Sequence, residues 1–204
     1  MYYVDLTHTV AADMPSYPGD TPVEVRRTRT VAEHGSCAHV LRTGMHSGTH
    51  VDYPMHMLEG ADEYICAADI SRFIGPAVTV DARGMDVIGP ERFGAVGRGD
   101  IVLIYTGFDA VFGRPEYFTS FPALSDELAE LFVTHCVKMV GIDFPSVDRS
   151  PYSVHKRLLP EGILIAENLT NLDKLLGKRA KFYAVPLKIQ AEGSIVRAFA
   201  EVES

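Results

Sequence analysis

The feature that most constrains this chain's fold is a set of four polar residues at even-numbered positions: His46, His50, Asp52 and His56. We call residues 46–56, His-Ser-Gly-Thr-His-Val-Asp-Tyr-Pro-Met-His, the histidine segment. Side chains alternate along extended backbone, so such backbone would send all four to one face. In a helix with 3.6 residues per turn, positions 50 and 52 would point about 200° apart. The spacing therefore favours extended backbone over a helix.

Two further residues restrict the histidine segment in the same way. Gly48 and Pro54 both oppose a regular helix, and Pro54 also opposes a central strand because proline lacks the backbone N–H that a sheet needs. We therefore predict that residues 44–58 form extended or looped backbone with one polar face.

The chemistry of this face points to a metal. Imidazole nitrogen and carboxylate oxygen are the ligands that suit zinc, manganese and non-haem iron, and catalytic sites commonly leave a coordination position open for water. Four such groups on one face would be costly to bury in an apolar interior without a metal to satisfy them. A metal-dependent hydrolase is the class of protein that this pattern favours.

The isolated histidines and the cysteines give weaker signals. A lone histidine is usually a surface residue or a hydrogen-bonded core residue, and we expect this of His8, His34, His39 and His135. The three cysteines are widely spaced and form no C-x-x-C pair, so neither a disulfide framework nor a thiolate zinc site is indicated. We expect free, buried or half-buried thiols at Cys37, Cys66 and Cys136.

Length and charge limit the class of protein further. With 204 residues, 47% of them hydrophobic, the chain can bury a substantial core, and we predict one domain over residues 1–204. No apolar run approaches the roughly 20 residues that span a bilayer, and the start lacks a signal-peptide pattern, so a cytoplasmic location is expected. The net charge of -8 argues against a nucleic-acid surface and favours small-molecule partners.

Hydrophobic patterning predicts an α/β fold. Runs rich in valine, isoleucine and aromatic residues predict strands at 2–7, 23–29, 37–44, 77–81, 101–105, 138–143, 163–166, 181–185 and 194–202. Residues 125–135 predict a helix, because Ser125 can cap it and acidic residues follow in its first turn. Shorter helices are predicted at 67–71, 90–95, 115–118 and 171–175.

The histidine segment resembles the signature of the metal-dependent kynurenine formamidase family, also called the putative cyclase family, which includes arylformamidases and isatin hydrolases. Other stretches match in the same order along nearly the whole chain. They are Val-Asp-Leu-Thr at residues 4–7, Tyr-Pro-Gly-Asp at 17–20, Gly-Ile-Asp-Phe-Pro-Ser-Val-Asp at 141–148 and Glu-Asn-Leu-Thr-Asn-Leu at 167–172.

The resemblance implies a fold and a binuclear site. The implied fold is a swivelling β/β/α domain with a central mixed barrel-like sheet. In the family a histidine lies twelve residues before the glutamate of the Glu-Asn-Leu block, as His155 does before Glu167. The implied ligands of one ion are His46, His50 and Asp52, and those of the second are Asp52, His155 and Glu167. Two Zn²⁺ ions per chain are expected, with Mn²⁺ as an alternative, in a homodimer or larger homo-oligomer.

The resemblance also implies a reaction. A divalent ion can lower the pKa of bound water from 15.7 to about 7, which makes amide hydrolysis accessible at neutral pH. His56 is then free to act as general base and general acid, although a role as ligand or as a partner of a ligand stays open. Tyr17 is expected against the substrate ring, where the formamidase branch typically carries tryptophan.

Three functions follow as hypotheses. The first is hydrolysis of the amide C–N bond of a small, aromatic substrate such as N-formyl-L-kynurenine. The second is an isatin-hydrolase-like activity, or another cyclic amide or lactone hydrolysis, with the same histidine segment. The third is a non-catalytic metal-binding or ligand-binding protein, and a mobile acid/base such as His56 would not be needed in such a protein.

Overall fold

A computed structural model describes residues 1–203 of the chain. Its strands are β1 (Tyr2–Asp5), β2 (Glu24–Arg29), β3 (Ala38–Arg42), β4 (His50–Asp52), β5 (Ile74–Asp81), β6 (Val87–Ile88), β7 (Ile101–Tyr105), β8 (Ala123–Leu124), β9 (Met139–Ile142), β10 (Leu164–Glu167), β11 (Ala180–Tyr183), β12 (Gly193–Ile195) and β13 (Phe199–Val202). The α-helices are α1 (Val31–His34), α2 (Asp126–Thr134) and α3 (Ser153–Leu158). Short 3-10 turns lie at Pro54–His56, Ile65–Ala67, Ile70–Phe73, Pro90–Arg92, Phe108–Val111, Pro115–Phe118, Leu159–Glu161 and Leu172–Leu175.

Nine of these strands form one mixed sheet in the order β1-β13-β11-β5-β7-β9-β10-β4-β12. The pairs β5-β7, β7-β9 and β9-β10 are parallel, and the outer pairs are antiparallel. The sheet curls: Thr7, just after β1, bridges to Leu169, just after β10, and the Thr170 N–H donates to the Leu6 carbonyl. The predicted α/β class with a central mixed, barrel-like sheet is confirmed.

The two faces of the sheet bury different cores. In β7, Ile101 and Leu103 face the inside of the curl, whereas Val102 and Ile104 face helices α2 and α3. This period of two, with apolar residues on both sides, is what a central parallel strand needs when both of its faces are covered. The central strands are therefore covered by packed apolar side chains on both faces.

Helix α2 begins as the sequence predicts. The Ser125 hydroxyl accepts the Leu128 N–H, Asp126 and Glu127 occupy the first turn, and Leu128 and Phe132 are buried against the sheet. The shorter predicted helices are 3-10 turns; the one at Pro115–Phe118 has the predicted bounds and the others are shifted or shorter. Helices α1 and α3 fall outside the predicted segments. The last predicted strand, 194–202, divides into β12 and β13.

The histidine segment differs from a single extended strand. Only His50 and Asp52 lie on a strand, β4, whereas His46 lies in a preceding turn and His56 ends the 3-10 turn Pro54–His56. Pro54 occupies the first position of that turn, where its missing N–H costs nothing. Turns rather than strand alternation therefore direct the outer two histidines.

The protein also has a separate hairpin and three free cysteines. Strands β2 and β3 form a separate two-stranded hairpin without a buried residue. The cysteines are free, as predicted, but Cys37 and Cys136 are exposed, so their expected burial is wrong; Cys66 is half-buried. Within residues 1–203, no helix is long and apolar enough to cross a membrane.

Gly141 allows a test of the core inside the curl. A Cβ there would lie 2.6 Å from Leu103 Cδ2 and 2.8 Å from Leu169 Cδ1, both buried leucines. We expect Gly141→Ala to lower the free energy of unfolding by about 1–3 kcal/mol because the core is already filled. Urea denaturation measures this. Gly94→Ala is the control, since no atom lies within 4 Å of its new Cβ; an equal effect of the two substitutions would contradict the packing argument.

Candidate metal centre

Two neighbouring strands bring the first three candidate ligands together. His50 and Asp52 are two residues apart on β4 and therefore share a face of the sheet. Glu167 on β10 lies directly opposite His50 in the antiparallel register. All three side chains are buried, and they lie on the face that carries the helices, because Ile165 opposite Asp52 packs into that core.

Helix α3 adds His155 to the same place. The His155 Nε2 lies 3.5 Å from Asp52 Oδ2 and 3.5 Å from Glu167 Oε1. On its other side, Nδ1 lies 2.6 Å from Asp148 Oδ1, and Asp148 Oδ2 accepts the N–H groups of Val154 and His155. Asp148 thus caps the first turn of α3 and orients the imidazole, a role that the sequence did not reveal.

His50 offers the clearest sign that a cation belongs here. Its Nδ1 lies 2.7 Å from the Gly48 carbonyl oxygen and must donate to it, which leaves Nε2 for a proton or a metal ion. Nε2 lies 3.2 Å from Asp52 Oδ1 and 3.5 Å from Glu167 Oε2. Within the described chain, His50 Nε2 and Asp52 Oδ2 are buried without a hydrogen-bond partner. A ring nitrogen facing two carboxylates needs a positive charge between them, from a proton or from a metal ion, and imidazole with carboxylate is a donor set that fits a divalent metal.

The outer histidines complete a cluster around Asp52. His46 Nδ1 lies 2.7 Å from Asp52 Oδ1, and the centroid of the His56 ring is 3.9 Å from that of His46 and 6.0 Å from that of His155. Two triads have ligand atoms within 4.8 Å of one another: His46, Asp52 and His56, and His50, Asp52 and Glu167. The structure therefore brings all six sequence-predicted metal and acid/base residues together, and it also leaves a ligand role for His56 open.

The charges of the cluster divide the histidines into two kinds. Burial alone would lower the pKa of His50 and His155, but Asp52 raises that of His50 to about 10, and Asp148 with Asp52 raises that of His155 to about 12. For His56, burial prevails and lowers the pKa. The carboxylates around His50 and His155 therefore favour a positive charge at these two residues. His56, in contrast, is neutral at neutral pH and suited to accept a proton.

A cavity of about 390 Å³ opens onto the cluster. His46, His56, His155 and Glu167 form one end of it. Tyr17, the predicted substrate contact, lines the cavity and packs edge-on against Phe118, with ring centroids 5.5 Å apart. Other lining residues are Phe112, Ser146, Tyr152 and Asn168. The cavity lining thus combines the polar cluster with an aromatic wall of Tyr17, Phe112 and Phe118.

The loop that carries Phe112 and Phe118 is anchored by a buried carboxylate. Asp143, just after β9, accepts the N–H groups of Thr106 and Gly107 where β7 ends and the loop begins. Burial raises the pKa of Asp143 to about 7 despite these hydrogen bonds. Farther along the loop, the Tyr117 hydroxyl donates to Asn168 Oδ1 at 2.7 Å. No local sequence pattern identified Phe112 and Phe118, because they meet the cavity only in the folded loop.

Comparisons with known proteins agree with this architecture. Residues 4–149 match the model of the putative cyclase family. A kynurenine formamidase from Geobacillus thermodenitrificans is 30% identical over 203 residues, which cover 96% of this chain and 95% of the relative.

Two solved structures share the fold. Isatin hydrolase A from Labrenzia aggregata, bound to benzyl benzoate, aligns with a TM-score of 0.88 at 22% identity, covering 98% of this chain and 93% of that one. A protein described as a predicted metal-dependent hydrolase from Bacillus stearothermophilus aligns with a TM-score of 0.78 at 22% identity, covering 98% and 97%.

Metal binding should be visible as thermal stabilisation. We expect Zn²⁺ or Mn²⁺ at about 100 times its Kd to stabilise the chelator-treated protein by about 2.7 kcal/mol, because an ion that binds only the folded state shifts the unfolding equilibrium. His50→Ala should lose most of this stabilisation, as measured by Tm with and without the ion. His39→Ala, on the exposed hairpin, is the control. An unchanged response of His50→Ala would exclude His50 as a ligand.

Proposed function

Because this chain belongs to the putative cyclase family, we propose that it is a metal-dependent hydrolase that cleaves the amide C–N bond of a small, aromatic substrate. The observation that carries this proposal is the convergence of His50, His155, Asp52 and Glu167 beside a neutral His56 at one end of a cavity with an aromatic wall. The kynurenine formamidase relative and the isatin hydrolase neighbour support it, since both names describe hydrolysis of an amide bond.

The proposed ligands of one ion are His46, His50 and Asp52, and those of a second are Asp52, His155 and Glu167. The two oxygens of Asp52 support this assignment because they face different histidines. Oδ1 faces His46 and His50, and Oδ2 faces His155. Zn²⁺ suits these nitrogen and oxygen ligands, and Mn²⁺ is the alternative. Such ions supply water of lowered pKa and polarise a carbonyl group.

His56 is the proposed acid/base. It lines the cavity, and its ring is neutral at neutral pH because burial lowers its pKa. As water adds to the amide carbonyl carbon, His56 accepts a proton from it at a ring nitrogen. When the C–N bond breaks, His56 returns that proton to the leaving nitrogen, so that one carboxylic acid and one amine form. Throughout these steps, Asp148 holds the His155 ring in place and the Gly48 carbonyl holds the His50 ring.

N-formyl-L-kynurenine is the first proposed substrate, with its aryl ring against Tyr17, Phe112 and Phe118. One observation favours a second candidate, an uncharged cyclic amide or lactone such as isatin. In the described part of the chain, the residues that line the cavity include Asp20 but neither lysine nor arginine. A substrate carboxylate would therefore find no lysine or arginine among them, whereas a neutral bicyclic ring would need none.

We also propose a homodimer or larger homo-oligomer, supported by the β2-β3 hairpin. Residues 24–42 carry four arginines against two glutamates in a chain of net charge -8. Val40 and Leu41 on this hairpin are 45% and 47% exposed. An isolated two-stranded hairpin is only marginally stable, so an acidic surface of a second copy is a suitable support for it. A monomer in sedimentation analysis at micromolar concentration would contradict this assembly.

Replacing His56 tests its role. We expect His56→Ala to lower kcat by about 10²–10⁴-fold, the range of general acid/base catalysis, while metal content stays near two ions per chain. Steady-state kinetics and elemental analysis measure the two quantities. His34→Ala, an exposed histidine on α1, is the control. Loss of metal in His56→Ala would make His56 a ligand instead, and full activity would exclude it from the reaction.

A hydrolysis screen tests the substrate. We expect the metal-loaded protein to hydrolyse N-formyl-L-kynurenine, isatin or a related cyclic amide or lactone, and to lose that activity with chelator. Turnover of isatin but not of N-formyl-L-kynurenine would favour the uncharged cyclic substrate. Should a fully metal-loaded protein hydrolyse none of these compounds, the non-catalytic binding protein becomes the better interpretation.

A further inference from the structure

The Glu192-Gly193 step at the start of β12 contacts His46 from outside the cluster. Strand β12 pairs with β4 so that Gly193 lies opposite Asp52 and Ile195 opposite His50. The Glu192 carbonyl oxygen accepts the Tyr53 N–H at 3.0 Å, which fixes Glu192 beside the end of β4. Both residues are therefore held in place by the sheet itself.

Gly193 provides space for the His46 ring. A Cβ at position 193 would lie 2.9 Å from His46 Cε1 and 3.3 Å from His46 Nε2. A side chain of any size would push the ring away from its present position. The absence of a side chain at this point of β12 is thus a condition for the placement of His46.

Glu192 provides a negative group for the outer nitrogen of the same ring. His46 Nδ1 lies 2.7 Å from Asp52 Oδ1, while Nε2 lies 3.3 Å from Glu192 Oε1. The imidazole therefore bridges a buried carboxylate and one whose side chain is 40% exposed. With Nδ1 directed into the cluster, Nε2 is the nitrogen that must carry the proton. It is buried without a well-aligned hydrogen-bond partner, and Glu192 Oε1 is the carboxylate oxygen beside it.

The other two histidines that are proposed as ligands each have a comparable partner for the outer nitrogen. His50 has the Gly48 carbonyl and His155 has the Asp148 carboxylate. Acceptors of this kind fix the tautomer and ring orientation of metal-binding histidines, and removing one commonly costs 10–100-fold in metal affinity. His46 obtains its acceptor from Glu192.

We propose that Glu192 and Gly193 form a seat for His46, in which Gly193 gives the ring room and Glu192 fixes its orientation and tautomer. Glu192 is then a positioning residue for the metal site, acting through His46. This inference rests on the proposed function, because it assumes that His46 binds a metal.

Metal affinity of the chelator-treated protein tests the seat. Zn²⁺ and Mn²⁺ are titrated separately in competition with a chromophoric chelator. We expect Glu192→Ala to weaken binding by about 10–100-fold. Glu192→Gln should recover most of the affinity, because its amide oxygen still accepts from Nε2–H. The control is Glu59→Ala, an exposed glutamate next to the histidine segment, which should bind like the wild type.

Two further measurements separate positioning from folding. The Tm of metal-free Glu192→Ala should equal that of the wild type, since a half-exposed ion pair contributes little to stability. The ¹⁵N signals of the His46 ring in the metal-loaded protein should show the Nε2–H tautomer in the wild type and a mixture in Glu192→Ala. Gly193→Ala is less informative, because its Cβ would also meet the Val51 carbonyl oxygen at 2.9 Å and disturb the strand pair.

The outcomes distinguish this inference from the proposed function. A wild-type protein that binds neither Zn²⁺ nor Mn²⁺ would overturn the proposed function. A wild-type protein that binds metal, with unchanged affinity and tautomer in Glu192→Ala, would overturn the seat alone. Equal losses in Glu192→Ala and Glu192→Gln would show that charge, not hydrogen-bond acceptance, is what His46 requires.

Discussion

The burial of negative charge beside the curled sheet is the constraint on which the rest of this structure depends. Asp52 and Glu167 project from adjacent strands into a space closed by helix α3, and both are almost completely buried. A buried carboxylate is tolerated only with a cation or several hydrogen-bond donors close by. Histidines approach from a strand, a turn and a helix and supply either protons or metal coordination. The cavity, the proposed acid/base His56 and the acceptors Gly48 and Asp148, which contact the outer ring nitrogens of His50 and His155, are all arranged around these carboxylates.

The fold meets the requirement by placing the cluster at a junction. Strand β4 is short, with three residues, and lies between β10 and β12 near one edge of the sheet. Its helix-side residues face α3, while Val51 between them packs inside the curl. Because the core on each side is fully formed, the ligand side chains have little freedom to rearrange, which is what a preorganised site needs. The loops that carry Tyr17 and Phe118 add aromatic side chains to the cavity lining.

The sequence predicted the cluster better than the fold that holds it. His46, His50, Asp52 and His56 stand out because chemistry and spacing coincide within one short segment, and the family resemblance added His155 and Glu167. Asp148, Glu192 and Phe118 stayed hidden because an acidic or aromatic residue has no local pattern that reveals its partner across the fold. The strands were predicted well where both faces are apolar, as in β7 and β9. Helix α3 was missed because Asp148, rather than a residue at its own N-cap, satisfies its first N–H groups.

The position of β4 between two late strands has a consequence for how the protein becomes competent to bind an ion. Both neighbours of β4 in the sheet come more than 100 residues later in the chain, at 164–167 and 193–195. Contacts between residues so far apart in the sequence have a large entropic cost of loop closure, and they form slowly. A partly synthesised chain that already contains the histidine segment would hold its three histidines and Asp52 without His155 and Glu167. Binding of the proposed second ion is therefore coupled to the late pairing of β4 with β10.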